Sequence, residues 1–392
     1  MTATGARLVV GQDRIKTDPR STPKVSYRVP FVNARKHYAR YQSQFQAAIS
    51  GCLENGDLIL RQQLTDFERE LARVCGVKHA VGVSSGYHAL ALSMIAAGLK
   101  PGDEVIAPAH TFVATISAIV HSGAEPVLCD VSPDYNVDLK SARRAITRRT
   151  RAILPVHLNG RMADMRGVEE LAREFDLIVI EDAAQGLGAS VDGRKAGSWG
   201  LTGCFSFYPF KILGCFGDGG AVTTNSDETA QAIRRLRFNG EDRATGEYHY
   251  HGYTALLDNI QAAVLSFKLT QFDSWVDHRR RTAELYRRGL TGIGDLRLPH
   301  FDDSAFYDVF QNYVIRTSRR EDLRAHLKEQ GVETLVHWAR PMWHHPGLKL
   351  GSWNFPETES ICREVISLPM SAETEEAEVG IVVDVIRSFF QR

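Results

Sequence analysis

No run of apolar residues in this 392-residue chain reaches the roughly 18 that a membrane-spanning helix needs, so no membrane partner is expected. The first 24 residues, MTATGARLVVGQDRIKTDPRSTPK, contain no apolar stretch long enough for a secretory leader, and the chain reads as cytoplasmic. It has no excess of either charge. Lys plus Arg is 47 and Asp plus Glu is 47, which argues against nucleic acid as a partner but leaves an anionic small molecule open. Cysteine is scarce. The six, at 52, 75, 129, 204, 215 and 362, form no CxxC pair, so buried reduced thiols are expected rather than disulfides or zinc. Repeats and low-complexity tracts are absent. What remains is an ordinary globular composition, 43% hydrophobic and 24% charged, long enough for two or three domains or for one large domain with an appendage.

Residues 1–25 are polar and carry two prolines, and a flexible tail is expected there. From about residue 76 short apolar runs alternate with helical patterns. Strands are predicted at 78–83, 103–108, 125–131, 151–158 and 176–182, and helices at 88–99, 111–123, 138–146 and 165–175. That alternation predicts an α/β fold built on a mostly parallel sheet with helices on both faces. Two further strands, 203–210 and 220–225, flank a glycine-rich loop. Helical patterns then run from 226 to about 290, strongest at 256–276. The remainder mixes strands such as 313–317 with helices such as 321–330, as a smaller α+β unit would. The expected division is a large domain at 26–275, with its lead-in, and a small C-terminal domain at 276–392.

Three segments carry chemistry. V-S-S-G-Y-H-A-L (83–90) ends a strand and opens a helix, where free N–H groups and the helix dipole favour an anion around Ser85, Gly86 and Tyr87; an ordinary capped helix start is the bland alternative. V-I-E-D-A-A-Q (179–185) places Asp182 at the end of a buried strand, where a carboxylate needs a cationic partner or else serves as a helix cap. F-S-F-Y-P-F-K-I-L-G-C-F-G-D-G-G-A (205–221) surrounds Lys211 with Phe210, Ile212 and Leu213. Apolar surroundings lower a lysine's pKa, as a Schiff-base nucleophile requires; a snorkelling surface lysine is the alternative. Ser206 adds a hydroxyl five residues earlier. An anion cradle, a strand-end carboxylate and an activated lysine together match the phosphate, ring nitrogen and aldehyde of pyridoxal phosphate.

With these residues in view the chain resembles the DegT/DnrJ/EryC1/StrS sugar aminotransferases. The resemblance rests on seven ordered motifs: S-G-x-x-A-L (85–90), H-T-F-V-A-T (110–115), L-P-V-H-L-N-G (154–160), E-D-A-A-Q (181–185), S-F-Y-P-x-K (206–211), G-D-G-G-A (217–221) and L-D-x-I-Q-A-A (257–263). It implies an aspartate-aminotransferase-like fold type I enzyme with a seven-stranded sheet and pyridoxal phosphate as cofactor, with pyridoxamine phosphate as its aminated form. By the same resemblance Lys211 forms the Schiff base and shuttles a proton, and Asp182 pairs with the ring nitrogen. Gln185 bonds the ring's 3-oxygen, and Phe112 stacks on the ring. Ser206, with Ser85, Gly86 and Tyr87, holds the phosphate. The implied reaction moves an amino group from an amino acid, glutamate in the first instance, to C3 or C4 of a nucleotide-linked keto-sugar, in a homodimer with shared active sites. A keto-cyclitol or an unactivated keto-sugar phosphate is the alternative substrate; a dehydratase or a regulator of the same fold is the alternative function.

The chain departs from the family pattern in three places. Tyr87 stands where a small residue is usual. Thr254 and Leu256 replace the Asn and Arg expected before the Q-A-A helix, so Thr254 is left as the candidate cross-subunit contact to the phosphate. Phe210 is bulky beside the lysine. Substrate-side candidates are His157, Tyr208, Arg243, His249, Tyr250 and the segment His337 to Arg340, with Arg243 or Arg340 as a relocated cation for the diphosphate. No metal is expected: the adjacent pair His344 and His345 diverges, and no carboxylate stands at ligand spacing from it or from His337. The stretch 188–195 lacks the Gly-Lys of a phosphate loop, and Arg279–Arg281 reads as a solvated helix face.

Overall fold

The structure, a computed structural model, describes residues 27–299 and 303–391. The tail expected at 1–25 lies outside the described residues. Seven strands make the central sheet: β1 (His79–Val83), β2 (Glu104–Pro108), β3 (Glu125–Cys129), β4 (Thr150–Ile153), β5 (Ile178–Asp182), β6 (Thr202–Ser206) and β7 (Gly220–Thr224). Their order is β1-β7-β6-β5-β4-β2-β3, and only β7 runs antiparallel to its neighbours. The strand expected at 151–158 stops at Ile153 as a regular strand, since Pro155 has no N–H to offer a ladder. A single bridge, Val156 to Asp182, prolongs it. The strand expected at 203–210 ends at Ser206, and the chain then leaves the sheet in a loop.

Both faces of the sheet are apolar, so alternate residues of one strand feed two cores. Ile106, Ile153 and Phe205 pack on one face with Leu64, Phe67 and Leu71 of α3 (Gln62–Cys75). Val105, Ala107, Ile180 and Cys204 pack on the other, against the helix that runs Gly86–Ala96, here called α4. That helix is apolar nearly all round and is wrapped by the sheet, α5 (Val113–His121) and α8 (Asp227–Leu236). Ahead of them lie α1 (Ala34–Arg40) and α2 (Gln42–Glu54); α6 (Leu139–Ala145) and α7 (Met165–Phe175) are the crossovers after β3 and β4. All six cysteines are buried and unpaired.

Helix α9 (Asn259–Leu290) is a single 32-residue helix, so the division expected at residue 275 falls within one continuous element. Its C-terminal half joins α10 (Arg320–Glu329), α12 (Glu376–Phe390) and the antiparallel pair β8 (Tyr313–Arg316) and β9 (Val365–Leu368) in a third core. Between β8 and β9 runs α11 (Pro356–Glu364). Val29, from the lead-in segment, is buried in that core, with its N–H donating to Gly331 O at 3.0 Å. The solvated face expected at Arg279–Arg281 is not found at Arg279, which is 5% exposed. The Arg279 guanidinium donates to the carbonyls of Phe310 (3.1 Å), Gln311 (3.2 Å) and Met370 (3.4 Å), and burial lowers its pKa to about 10.

Candidate active site

A cavity of about 730 Å³ opens at the carboxyl ends of β5 and β6, where an open α/β sheet presents free backbone and helix starts. Asp182, the last residue of β5, is 5% exposed. Its Oδ2 accepts from Thr115 Oγ1 at 2.8 Å and its Oδ1 from Ala184 N–H at 3.2 Å. Burial raises its pKa against those two hydrogen bonds and the nearby Lys211 charge. A carboxylate with no cation in hydrogen-bond contact is held there at a cost, and a protonated ring nitrogen would offset it.

Lys211 stands across the same cavity, in the turn that follows β6. Burial lowers its pKa to about 8, with Asp182 pulling the other way, so about a tenth of the amine is neutral at pH 7, far more than for an ordinary lysine. The turn is closed at its base by Cys215 N–H donating to Phe207 O and Phe207 N–H to Gly219 O, both at 2.7 Å. His337 faces Lys211 from the C-terminal half, and burial together with that positive charge pushes its pKa down to about 4. It is therefore a neutral imidazole, with Nδ1 hydrogen-bonded to Ser367 Oγ at 2.9 Å.

The anion cradle is built where α4 starts. Ser85 caps the helix by accepting from His88 N–H at 3.1 Å, and the N–H groups of Gly86 and Tyr87 in the first turn have no intrahelical acceptor. A Cβ added to Gly86 would stand 2.6 Å from Ser206 Cβ, so only glycine lets the helix start approach the Ser206 hydroxyl this closely. Gln185 Oε1 accepts from Asn159 N–H (2.8 Å) and Asn312 Nδ2 (3.4 Å), which leaves its NH₂ end to donate to a ligand oxygen. Phe112 is 53% exposed inside the cavity, stacked on Trp338 with centroids 5.9 Å apart and planes at 28°.

Ser85, Gly86, Tyr87, Phe112, Asp182, Gln185, Ser206, Tyr208, Lys211 and His337 thus line one cavity. The other candidates do not. His157 is fully buried and does not line the cavity; it lies behind the site, close enough to Asp182 for its charge to lower that carboxyl's pKa. Its Nδ1 accepts from Ala163 N–H (3.3 Å), which leaves Nε2–H to donate to Glu181 at 2.9 Å. The Glu181 carboxylate also accepts from the N–H groups of Gly197, Trp199 and Gly200, so His157 belongs to a structural turn network. Thr254 is exposed and donates to Asn239 Oδ1 at 3.0 Å. Arg243 lies over Phe238 (5.5 Å) in a separate surface hollow, and His249 and Arg340 are exposed outside the cavity. Trp338, within the expected segment His337 to Arg340, lines the site too, and Thr115, Gln311, Asn312 and Glu333 line it without having been singled out. Gln311 and Asn312 carried a signal, two amides between the apolar pairs Val309-Phe310 and Tyr313-Val314.

The donors present fit pyridoxal phosphate: anion cradle, buried carboxylate, low-pKa amine and aromatic face converge on one cavity. Their placement at the strand ends of a mostly parallel sheet defines a fold type I pyridoxal-phosphate enzyme. Within that class the assignment is narrower, because the family model for DegT/DnrJ/EryC1/StrS aminotransferases matches residues 40–387. The chain belongs to that family and is an aminotransferase.

It is similar to the Streptomyces venezuelae dTDP-3-amino-3,4,6-trideoxy-alpha-D-glucose transaminase, at 40% identity over 93% of this chain and 97% of that one. It is also similar to a Geobacillus stearothermophilus pleiotropic regulatory protein, at 37% identity over 93% of this chain and 99% of that one. Among solved structures it superposes on S. venezuelae DesV in complex with a ketimine intermediate, with a TM-score of 0.90 and 40% identity, covering 94% of this chain and all of that one.

Proposed function

We propose that the enzyme transfers an amino group from glutamate to C3 of a nucleotide-linked keto-sugar in the cytoplasm. The observation that carries this reading is the pairing of Lys211 and Asp182 across one cavity with room for a ligand beyond the cofactor. C3 is favoured over C4 by the S. venezuelae relative, whose name specifies a 3-amino dTDP-sugar. The regulatory name of the Geobacillus relative does not displace it, since a purely regulatory chain has no need of a low-pKa lysine facing a buried carboxylate.

Pyridoxal phosphate, when bound, supplies an aldehyde that exchanges amines and a ring that accepts electron density from a deprotonated carbon. Gly86 and Tyr87 N–H with Ser206 Oγ would hold its phosphate, and Asp182, itself oriented by Thr115 and Ala184, would keep its ring nitrogen protonated. Gln185, whose oxygen is held by Asn159, would donate to the ring oxygen, and Phe112 would cover one face. Neutral Lys211 Nζ takes the proton from the α-carbon of the amino donor and, in the second half, returns a proton to the sugar carbon. His337 and Tyr208 line the substrate side.

We further propose a homodimer. Arg243 and His249 lie on the exposed segment around the 241–248 hairpin, and exposed Tyr208 and Phe210 rim the cavity mouth, as a site completed by a second copy would require. Thr254, Arg243, His249 and Arg340 would then meet the partner's ligand rather than their own. A panel of 3-keto and 4-keto nucleotide sugars assayed with glutamate, beside the nucleotide-free ketones, tests the substrate. Amination of the nucleotide-free ketones alone would overturn that part, and a fully active monomer in sedimentation would overturn the dimer.

A further inference from the structure

One side chain grips the backbone on both sides of Lys211. Gln311, 8% exposed, accepts from Ile212 N–H through Oε1 at 3.0 Å and donates from Nε2 to Phe210 O at 3.0 Å. Those two groups belong to the two peptide units that flank the Lys211 Cα. The Lys211 N–H, at the other end of the first unit, donates to Tyr208 O at 2.8 Å. Peptide units are planar, so fixing both of them fixes the two backbone torsions of Lys211 and with them the direction of its Cα–Cβ bond. The orientation of the Gln311 amide is not arbitrary. Reversed, it would set oxygen against Phe210 O and NH₂ against Ile212 N–H, with neither contact bonding.

Gln311 is itself held. The buried Arg279 guanidinium donates to its carbonyl at 3.2 Å and to that of Phe310 at 3.1 Å. The far side of the same loop is fixed by Lys268, 4% exposed, whose Nζ donates to Gly214 O at 2.5 Å. The loop carrying Lys211 is therefore clamped between the segment before β8 and helix α9.

We propose that Gln311 is a positioning residue that aims the Lys211 amine at the cofactor's aldehyde carbon. The proposal rests on the reading of Lys211 as the lysine that links the cofactor. In that step the neutral Nζ attacks the aldehyde carbon, a C=N bond forms, and the oxygen leaves as water. The four-carbon stem amplifies error. A swing of about 10° at Cα moves the amine by about 1 Å, a misplacement that costs on the order of 100-fold in rate.

The test compares two ligands on the cofactor-free protein. Pyridoxal phosphate links to the lysine and develops a visible absorbance band. Pyridoxamine phosphate has an amine in place of the aldehyde and binds without linking. Gln311→Met removes both hydrogen bonds at similar shape. It is expected to slow growth of the band by on the order of 10- to 100-fold, while pyridoxamine phosphate affinity stays within about twofold. Gln311→Asn, too short to span both peptide units, is expected to behave alike and serves if the Met variant does not fold. An unchanged linkage rate refutes the proposal. So does a parallel loss of affinity for both ligands, since Gln311 would then only support the cavity. Lys211→Met separates the two levels: if it still forms the band, the assignment of Lys211 is wrong and the positioning role falls with it.

Discussion

Replacing Lys211 with methionine should stabilise the cofactor-free protein, and the gain should depend on pH in a specified way. Burial holds the Lys211 amine at about 8 against an ordinary 10.5. The folded pKa is depressed, so between about pH 8 and 10.5 the unfolded chain binds a proton that the folded chain does not. Wild-type stability therefore rises with pH across that window, and the penalty for burying the ammonium is fully present below it. The 2.5-unit difference corresponds to about 3 kcal/mol near pH 7 and has shrunk to about 1.4 kcal/mol near pH 9.5. Methionine carries no charge and pays none of this, so the variant should exceed wild type by up to about 3 kcal/mol near pH 7, the gap narrowing as pH rises. The attraction between Lys211 and Asp182 is already contained in the net value of about 8, so it takes nothing further from the difference. Lys268, also held at about 8 by burial, is present in both proteins and cancels in the difference. Urea unfolding of both apoproteins at matched concentration across this pH range measures it. A gap that stays flat with pH, or a variant less stable than wild type near pH 7, would refute the claim that burial sets this amine's pKa.

Three other substitutions test other parts of the site. Asp182→Asn should retain cofactor but lower kcat by about 100-fold or more, since a neutral amide cannot stabilise a protonated ring nitrogen; steady-state turnover beside the absorbance of bound cofactor reads both. Gly86→Ala should weaken cofactor binding at least tenfold and cost about 1–3 kcal/mol of stability, because its methyl would stand 2.6 Å from Ser206 Cβ. An alanine variant with unchanged affinity by fluorescence titration would count against the cradle. His157→Leu should cost about 1–3 kcal/mol by leaving the buried Glu181 carboxylate one donor short. KM for the sugar substrate should not change, and a raised KM with unchanged thermal stability would restore His157 to the substrate side.

The sheet was legible because each strand is an apolar run with a helical pattern on either side, and a parallel sheet buried on two faces demands just that. Strand ends were less legible. Apolar residues continue past Ile153 and past Ser206, but Pro155 lacks an N–H and Phe207 turns inward to anchor the lysine loop. The charged face of α9 misled for a related reason. Arg279 looks like its neighbours in sequence, and only the arrival of residues 310, 311 and 370 beside it gives its guanidinium carbonyls to bond.

The site divides along the same line. Lys211, Asp182, Ser206 and the 85–87 turn announce themselves locally, because an apolar-flanked lysine, a strand-end carboxylate and a capped helix start each need only their own segment to be read. Residues that act on them from a distance do not. Gln311 lies 100 residues from Lys211 in the chain, and its role exists only once the segment before β8 docks on the lysine loop. His157 shows the converse. A histidine just past a strand, in a motif full of cofactor ligands, reads as part of the pocket, yet the Glu181 carboxylate one residue before Asp182 faces the opposite side of the strand and draws the imidazole with it. Period-two alternation along β5 sends Asp182 into the cavity and Glu181 away from it, so one strand end supplies both a cofactor partner and a structural carboxylate.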